Sequence, residues 1–204
     1  MNKNEQNYHH GNLRQALLDE AIGEIRAQGV DNLSLRALAR KVGVSATAPY
    51  RHFADKEALL AEIAALAFVE LAQATIQPLL EISPAIDKIR LATAAYVNYA
   101  IQNPEKYRLM FGPAIKDREA YPHLVESGEA AFALLRQFIE EGQKSGAFVL
   151  GPSQQMAGSI WAGVHGYALM HIDGLYPRLD LPENPEDMLS LHVQLLLRSL
   201  SQAQ

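Results

Sequence analysis

Apolar residues recur at helical spacing along almost the whole chain, and that periodicity predicts the architecture. Between residues 12 and 28, Leu17, Leu18, Ala21, Ile22 and Ile25 fall three and four apart with charges between them, the stripe of a helix that packs on one side. Gly29 is placed to end this helix in the left-handed conformation. Ser34 offers an N-cap for a helix over 35–42, with Leu35, Leu38, Ala39 and Val42 inward and Arg36, Arg40 and Lys41 outward. Gly43, Val44 and Ser45 read as a turn. Gly43 takes positive φ at no steric cost, Val44 plugs the corner, and Ser45 can cap a short helix over 46–52.

Asp55 caps a long helix to residue 77, which carries Leu59, Leu60, Ile63, Leu66, Ala67 and Leu71 on one side; Pro78 stops it. Further helical patterns cover 85–102, 104–111, 120–144, 153–172 (capped by Ser153) and 186–201. Asp173, Gly174, Pro177, Pro182 and Pro185 mark an irregular loop. No period-2 strand pattern of useful length and no internal repeat appears. The expected fold is all-α with nine helices, divided into a head over 1–56 and a body over 57–204.

Composition narrows the chemistry. The 204 residues include no Cys, which excludes disulfides, thiolate metal sites and a cysteine nucleophile. No signal-peptide pattern opens the chain, and no uninterrupted apolar run approaches the ~18 residues of a membrane span, so no membrane partner is expected and a cytoplasmic location is the default. The net charge of −5 divides unevenly: residues 1–56 hold eight Lys/Arg against six Asp/Glu, and residues 57–204 hold ten against seventeen. A mildly basic head on an acidic body suits a protein that touches a polyanion with one end. His9 and His10 have no matching ligand cluster nearby, and His123, His165, His171 and His192 show no metal-ligand spacing. With no phosphate loop or nucleophile elbow either, no metal, cofactor or catalytic residue is expected.

Two short helices joined by a Gly-containing turn fit a helix-turn-helix. A helix enters the major groove only if its first residues are small or polar enough for the backbone to approach the base edges. Ser45, Ala46, Thr47 and Ala48 meet that demand, and Tyr50, His52 and Lys56 flank the tip where phosphates would run. Lys56 also lies in the first turn of the next helix, whose free N–H groups attract a phosphate. Pro49 complicates this element: it cannot donate the amide that would bond the Ser45 carbonyl, and it biases Ala48 away from helical geometry. Either the regular part starts nearer Thr47 or the first turn is distorted.

GVS at 43–45, followed by YRHF at 50–53 and DKEALL at 55–60, resembles the DNA-binding head of TetR-family transcriptional regulators. The resemblance runs from Leu17 to Leu60 and includes Ser34, Leu35, Arg36 and Ala39. It implies a homodimer with a three-helix head and a helical body that binds a small-molecule effector. It also implies backbone contacts at Thr47, Tyr50, His52 and Lys56, and places Ser34, Arg36 and Ala46, Thr47, Ala48 and Pro49 at or near bases and adjacent phosphates. Farther along, NPEKYRLMFG at 103–112 and Trp161 with His165 and Gly166 are similar to the C-terminal domain of the branch named for its Trp, His and Gly residues.

In the body, Tyr96, Tyr99, Tyr107, Phe111, Phe132, Trp161 and His165 are candidates for an effector pocket of aromatic walls and few polar tips. Core packing is the competing role of each, and His165 could equally be a core histidine bonded to a tyrosine hydroxyl. Gly158, Ala162 and Gly166 form a small-residue stripe that lets another helix approach. The last helix is apolar nearly all round and needs cover on two sides. A four-helix dimer bundle through Gly158, Ala162, Gly166, Leu189, Val193, Leu196 and Leu200 is therefore expected; the alternative is a last helix sunk in a monomer core. The mechanism that follows is a dimeric repressor of a palindromic operator, released by a small molecule. The competing class is a helical small-molecule-binding protein whose head no longer reads DNA.

Overall fold

The computed structural model describes residues 13–79, 84–179 and 185–200. Its α-helices are α1 (Leu13–Gln28), α2 (Leu35–Val42), α3 (Lys56–Ile76), α4 (Ala85–Gln102), α5 (Pro104–Phe111), α6 (Pro122–Lys144), α7 (Ser153–Ile172) and α8 (Pro185–Leu200), with 3-10 turns at Ala48–Arg51, Gln77–Leu79, Arg118–Ala120 and Pro177–Leu179. The expected all-α class holds, but eight α-helices stand among the described residues rather than nine. The one that fails to form is the short helix expected over 46–52. His9 and His10 lie outside the described residues.

Local chemistry explains the boundaries. Gly43 sits at φ 78° and ψ 30° after α2; its N–H bonds the Arg40 carbonyl at 3.3 Å and the Val44 N–H bonds the Ala39 carbonyl at 2.9 Å. This pair of bonds is a Schellman ending, which needs a residue free to be left-handed. At the start of α3, Asp55 Oδ1 accepts the Ala58 N–H at 2.8 Å, satisfying one of the donors a helix start leaves open. Ser34 has the extended backbone of a cap but its hydroxyl makes no cap bond. Ser153 is not the cap expected of it: Pro152 holds the cap position and Ser153 is the first residue of α7, and the Ser153 hydroxyl donates to Glu140 at 3.0 Å.

Two compact units divide the chain. The first comprises residues up to Ala67 with Glu105–Val125, the second Phe68–Pro104 with the residues from Glu126 onward. The first unit is built on Leu17, Leu18, Leu38, Leu59 and Ile63 together with Tyr107 and Met110 of α5, all at most 2% exposed. Burying each such side chain contributes about 1.5–3 kcal/mol. Glu105, 9% exposed, pairs with Arg26 of α1. Glu57, in the first turn of α3, accepts the Lys116 and Asp117 N–H groups at 2.9 and 3.1 Å. These bonds hold α5 and the segment after it in the same unit as the helix-turn-helix.

The second unit has its own core, including Ile89, Val97, Ile139, Phe148, Ile160, Val164, Tyr167 and Val193. Helix α8 packs tightly against α7 at Gly163, where a Cβ would stand 2.7 Å from the His192 ring. Tyr167 stacks on that ring at 6.4 Å and 19°.

Candidate functional site

The turn Ala48–Arg51 forms the tip of the helix-turn-helix. Had it been an α-helix, the Ser45 carbonyl would have accepted the N–H of residue 49, which proline lacks. The carbonyl takes the Ala48 N–H instead at 3.0 Å, Tyr50 N–H bonds Thr47 O at 3.3 Å, and His52 N–H bonds Pro49 O at 2.9 Å. The i to i+3 pattern is that of a 3-10 turn. Pro49 itself is buried, so its ring faces the interior of the unit rather than a partner. Of the two outcomes that Pro49 left open in the sequence, this is the distorted turn.

Around that turn, Ser34, Arg36, Ser45, Ala46, Thr47, Tyr50 and His52 are exposed, and Ala48 and Lys56 are partly so. Tyr50 leaves 47% of its surface open. The Ser45 and Thr47 hydroxyls lie 3.3 Å apart. The His52 ring leans on Phe53, which is buried and lies under the Arg14 guanidinium at 5.6 Å. Lys56 Nζ donates one bond to the Asp31 carbonyl at 2.9 Å, which leaves two of its three donors free. Sequence reasoning passed over Arg51, exposed in the same turn.

Four of the seven effector candidates come together in the second unit. Trp161 Nε1 donates to the Tyr96 hydroxyl at 3.2 Å, that oxygen lies 3.4 Å from His165 Nδ1, Trp161 and His165 rings are 5.1 Å apart, and Phe132 meets Trp161 edge-on at 6.4 Å. Burial holds the His165 pKa below its usual value. Phe132 also lines a surface groove of about 510 Å³ with Glu126, Glu129, Ala130, Ala133, Arg136 and Gln154. Tyr99 instead donates to Glu70 at 2.9 Å. Tyr107 and Phe111 pack against each other at 5.0 Å in the first unit, with Tyr107 fully buried.

The candidate pairing residues divide as well. Leu189, Val193 and Leu200 are 8%, 3% and 4% exposed and belong to the core of their own chain. Among the described side chains of α8, Leu191 and Leu195 are the exposed leucines, at 51% and 56%. The offset is one of helical phase: residues two apart point to different sides of a helix. On α7, Ala162 is exposed and the positions above Gly158 and Gly166 are open space. The Leu196 side chain lies outside the described residues.

Comparison with known proteins settles the family. The model for bacterial regulatory proteins of the tetR family matches residues 17–63, and the tetracyclin repressor-like C-terminal domain model matches residues 89–196, more than half of the chain. The chain belongs to the TetR family. DNA-binding transcriptional regulation is the function of that family. A protein of unknown function from Rhodococcus sp. RHA1 is 33% identical, with a TM-score of 0.86 over 96% of this chain and 98% of that one. An uncharacterized HTH-type transcriptional regulator of Haemophilus influenzae is 25% identical over 92% of this chain and 88% of its own length. The TetR family transcriptional regulator PfmR of Thermus thermophilus, 24% identical over 91% of this chain and 99% of its own, shares the fold with a TM-score of 0.69.

Proposed function

We propose that this TetR-family protein is a dimeric repressor that reads an inverted-repeat operator through the turn Ala48–Arg51 and leaves it when a small molecule binds the second unit. The observation that carries the DNA-binding part is the surface of the turn. Ser45, Ala46, Thr47, Tyr50 and His52 are all open to solvent there, while the one apolar ring, Pro49, is turned inward. Small and hydroxyl side chains at a tip let backbone and side chains approach phosphates and base edges together. Ser34 and Arg36, exposed at the start of α2, extend the same reading.

The effector reading is centred on Tyr96, Phe132, Trp161 and His165. Their rings are within reach of one another and present a phenol, an indole N–H and an imidazole among apolar faces, the balance expected of a small-molecule site. Pairing of two chains through α7 and α8 is supported by Leu191 and Leu195, which a second subunit would cover, and by the open small-residue positions Gly158, Ala162 and Gly166. In a dimer, heads separated by about 34–36 Å meet successive major grooves. An effector that prefers the released state 100-fold supplies about 2.7 kcal/mol, enough to shift operator occupancy substantially.

Selection of bound sequences from a random duplex pool, followed by footprinting of the winners, tests the proposal. An enriched inverted repeat supports it. Enrichment of no sequence favours the second reading, a small-molecule-binding protein whose head has lost its DNA target, for which the 3-10 tip is the motivating observation.

A further inference from the structure

The groove on the second unit joins the aromatic cluster to a rim of charged side chains. Its volume of about 510 Å³ suits one drug-sized molecule. Phe132 of α6 belongs to both parts: it lines the groove and meets Trp161 edge-on at 6.4 Å.

Charge on the rim is uneven. Glu126 and Glu129 line the groove, are exposed, and have no ion pair among the described residues. Arg136, the cation among the lining residues, has Glu140 beside it at 3.9 Å, and Glu140 also accepts the Ser153 hydroxyl at 3.0 Å. Three carboxylates therefore stand against one guanidinium. They do so in a body where residues 57–204 hold seventeen Asp/Glu against ten Lys/Arg. Such a surface attracts positive charge.

The aromatic end adds π surface and no cation. The Trp161 N–H is spent on the Tyr96 phenol at 3.2 Å, and that oxygen lies 3.4 Å from His165 Nδ1. Burial holds the His165 pKa below 6.5, so the ring is mostly neutral at pH 7. Phe132 and Trp161 are both half-buried, and the faces of such rings attract cations. A carboxylate or phosphate ligand would find Arg136 already beside Glu140 and would meet Glu126 and Glu129 at the rim. A cation would displace no ion pair at those two carboxylates.

We infer that the groove takes a lipophilic organic cation, with its apolar body against Phe132 and Trp161 and its charge toward Glu126 and Glu129. The inference rests on the effector reading above and adds to it the charge class of the ligand.

The test uses a matched pair of probes, tetraphenylphosphonium and tetraphenylborate, which share size and shape and differ in the sign of their charge. Each is titrated into the protein while the emission of Trp161, its only tryptophan, is recorded. Tetraphenylphosphonium is expected to change the emission saturably and to bind about tenfold more tightly than tetraphenylborate, the order that two partly solvated carboxylates allow. In an E126Q/E129Q variant the two affinities are expected to approach each other, and in the wild type the preference should shrink as salt rises. F132A should weaken both ions alike. Tetraphenylborate binding as tightly as tetraphenylphosphonium, or a preference that E126Q/E129Q leaves unchanged, overturns the inference while leaving the effector reading intact. Emission that neither ion moves overturns both.

Discussion

The Trp161 indole N–H donates to the Tyr96 hydroxyl, and the same oxygen lies 3.4 Å from His165 Nδ1. One phenol oxygen on α4 therefore serves two rings of α7. Removing it with Tyr96→Phe leaves both nitrogens without this partner in a part-buried setting, a loss worth about 1–3 kcal/mol. Trp161 is the only tryptophan of the chain, so its emission reports this cluster directly. Urea denaturation followed by tryptophan fluorescence should show the Y96F midpoint shifted down; an unchanged midpoint contradicts the arrangement.

Burial lowers the pKa of both His165 and His192 from the usual 6.5. The folded protein thus favours the neutral rings, while the unfolded chain takes up protons as pH falls through 6.5. Stability contributed by the neutral rings is present above that value and is lost as pH drops from it toward the folded-state pKa. His192 Nε2, buried with no hydrogen-bond partner among the described residues, makes protonation at α8 especially unfavourable. Thermal midpoints should fall on acidification below pH 6.5, and His192→Gln should flatten part of that slope. Equal slopes in the two proteins would assign the effect elsewhere.

Gly163 and Gly158 make a controlled pair on α7. A methyl group at Gly163 meets the His192 ring at 2.7 Å, whereas one at Gly158 meets nothing within 4 Å. Gly163→Ala should cost about 1–3 kcal/mol by overpacking, read as a Tm lowered by about 2–4 °C for each kcal/mol in a chain of this size. Gly158→Ala should leave Tm unchanged or raise it slightly. Gly158→Leu should keep the fold but dissociate the proposed dimer in sedimentation velocity, and a dimer that survives it counts against pairing through this face.

Arg26 and Glu105 should respond unequally to mutation. The Glu105 side chain is 7% exposed and that of Arg26 64%. Arg26→Met strands a buried carboxylate, whereas Glu105→Gln returns the guanidinium to water. The arginine variant should therefore be the less stable of the two in parallel urea titrations. The opposite order would mean that Glu105 has cover other than Arg26.

What the sequence made legible was local. The turn at Gly43 and the cap at Asp55 could be read because each depends on residues within three or four positions, and the weak point at Pro49 followed from its missing N–H alone. The failures are at a distance or in phase. Lys56 meets Asp31 across 25 residues, and Glu57 meets Lys116 across 59, so no local spacing announces either contact. Helix α8 is apolar on so many sides that its pattern fits several phases, and the structure turns Leu191 and Leu195 outward where Leu189 and Val193 had been expected. The aromatic set was drawn from composition, and which of its residues the fold gathers, as the second unit gathers Tyr96, Phe132, Trp161 and His165, depends on contacts far apart in the sequence.

The central claim, that this chain reads DNA as a pair of heads through the turn at Ala48–Arg51, is tested most directly by hydroxyl-radical footprinting of purified protein on its best selected duplex. The account predicts two protected half-sites in inverted repeat, about one helical turn or a multiple of it apart, and loss of both in a Thr47→Ala, Tyr50→Ala double variant that keeps the wild-type helicity. Protection of a single half-site, or a footprint unchanged in the double variant, would contradict it.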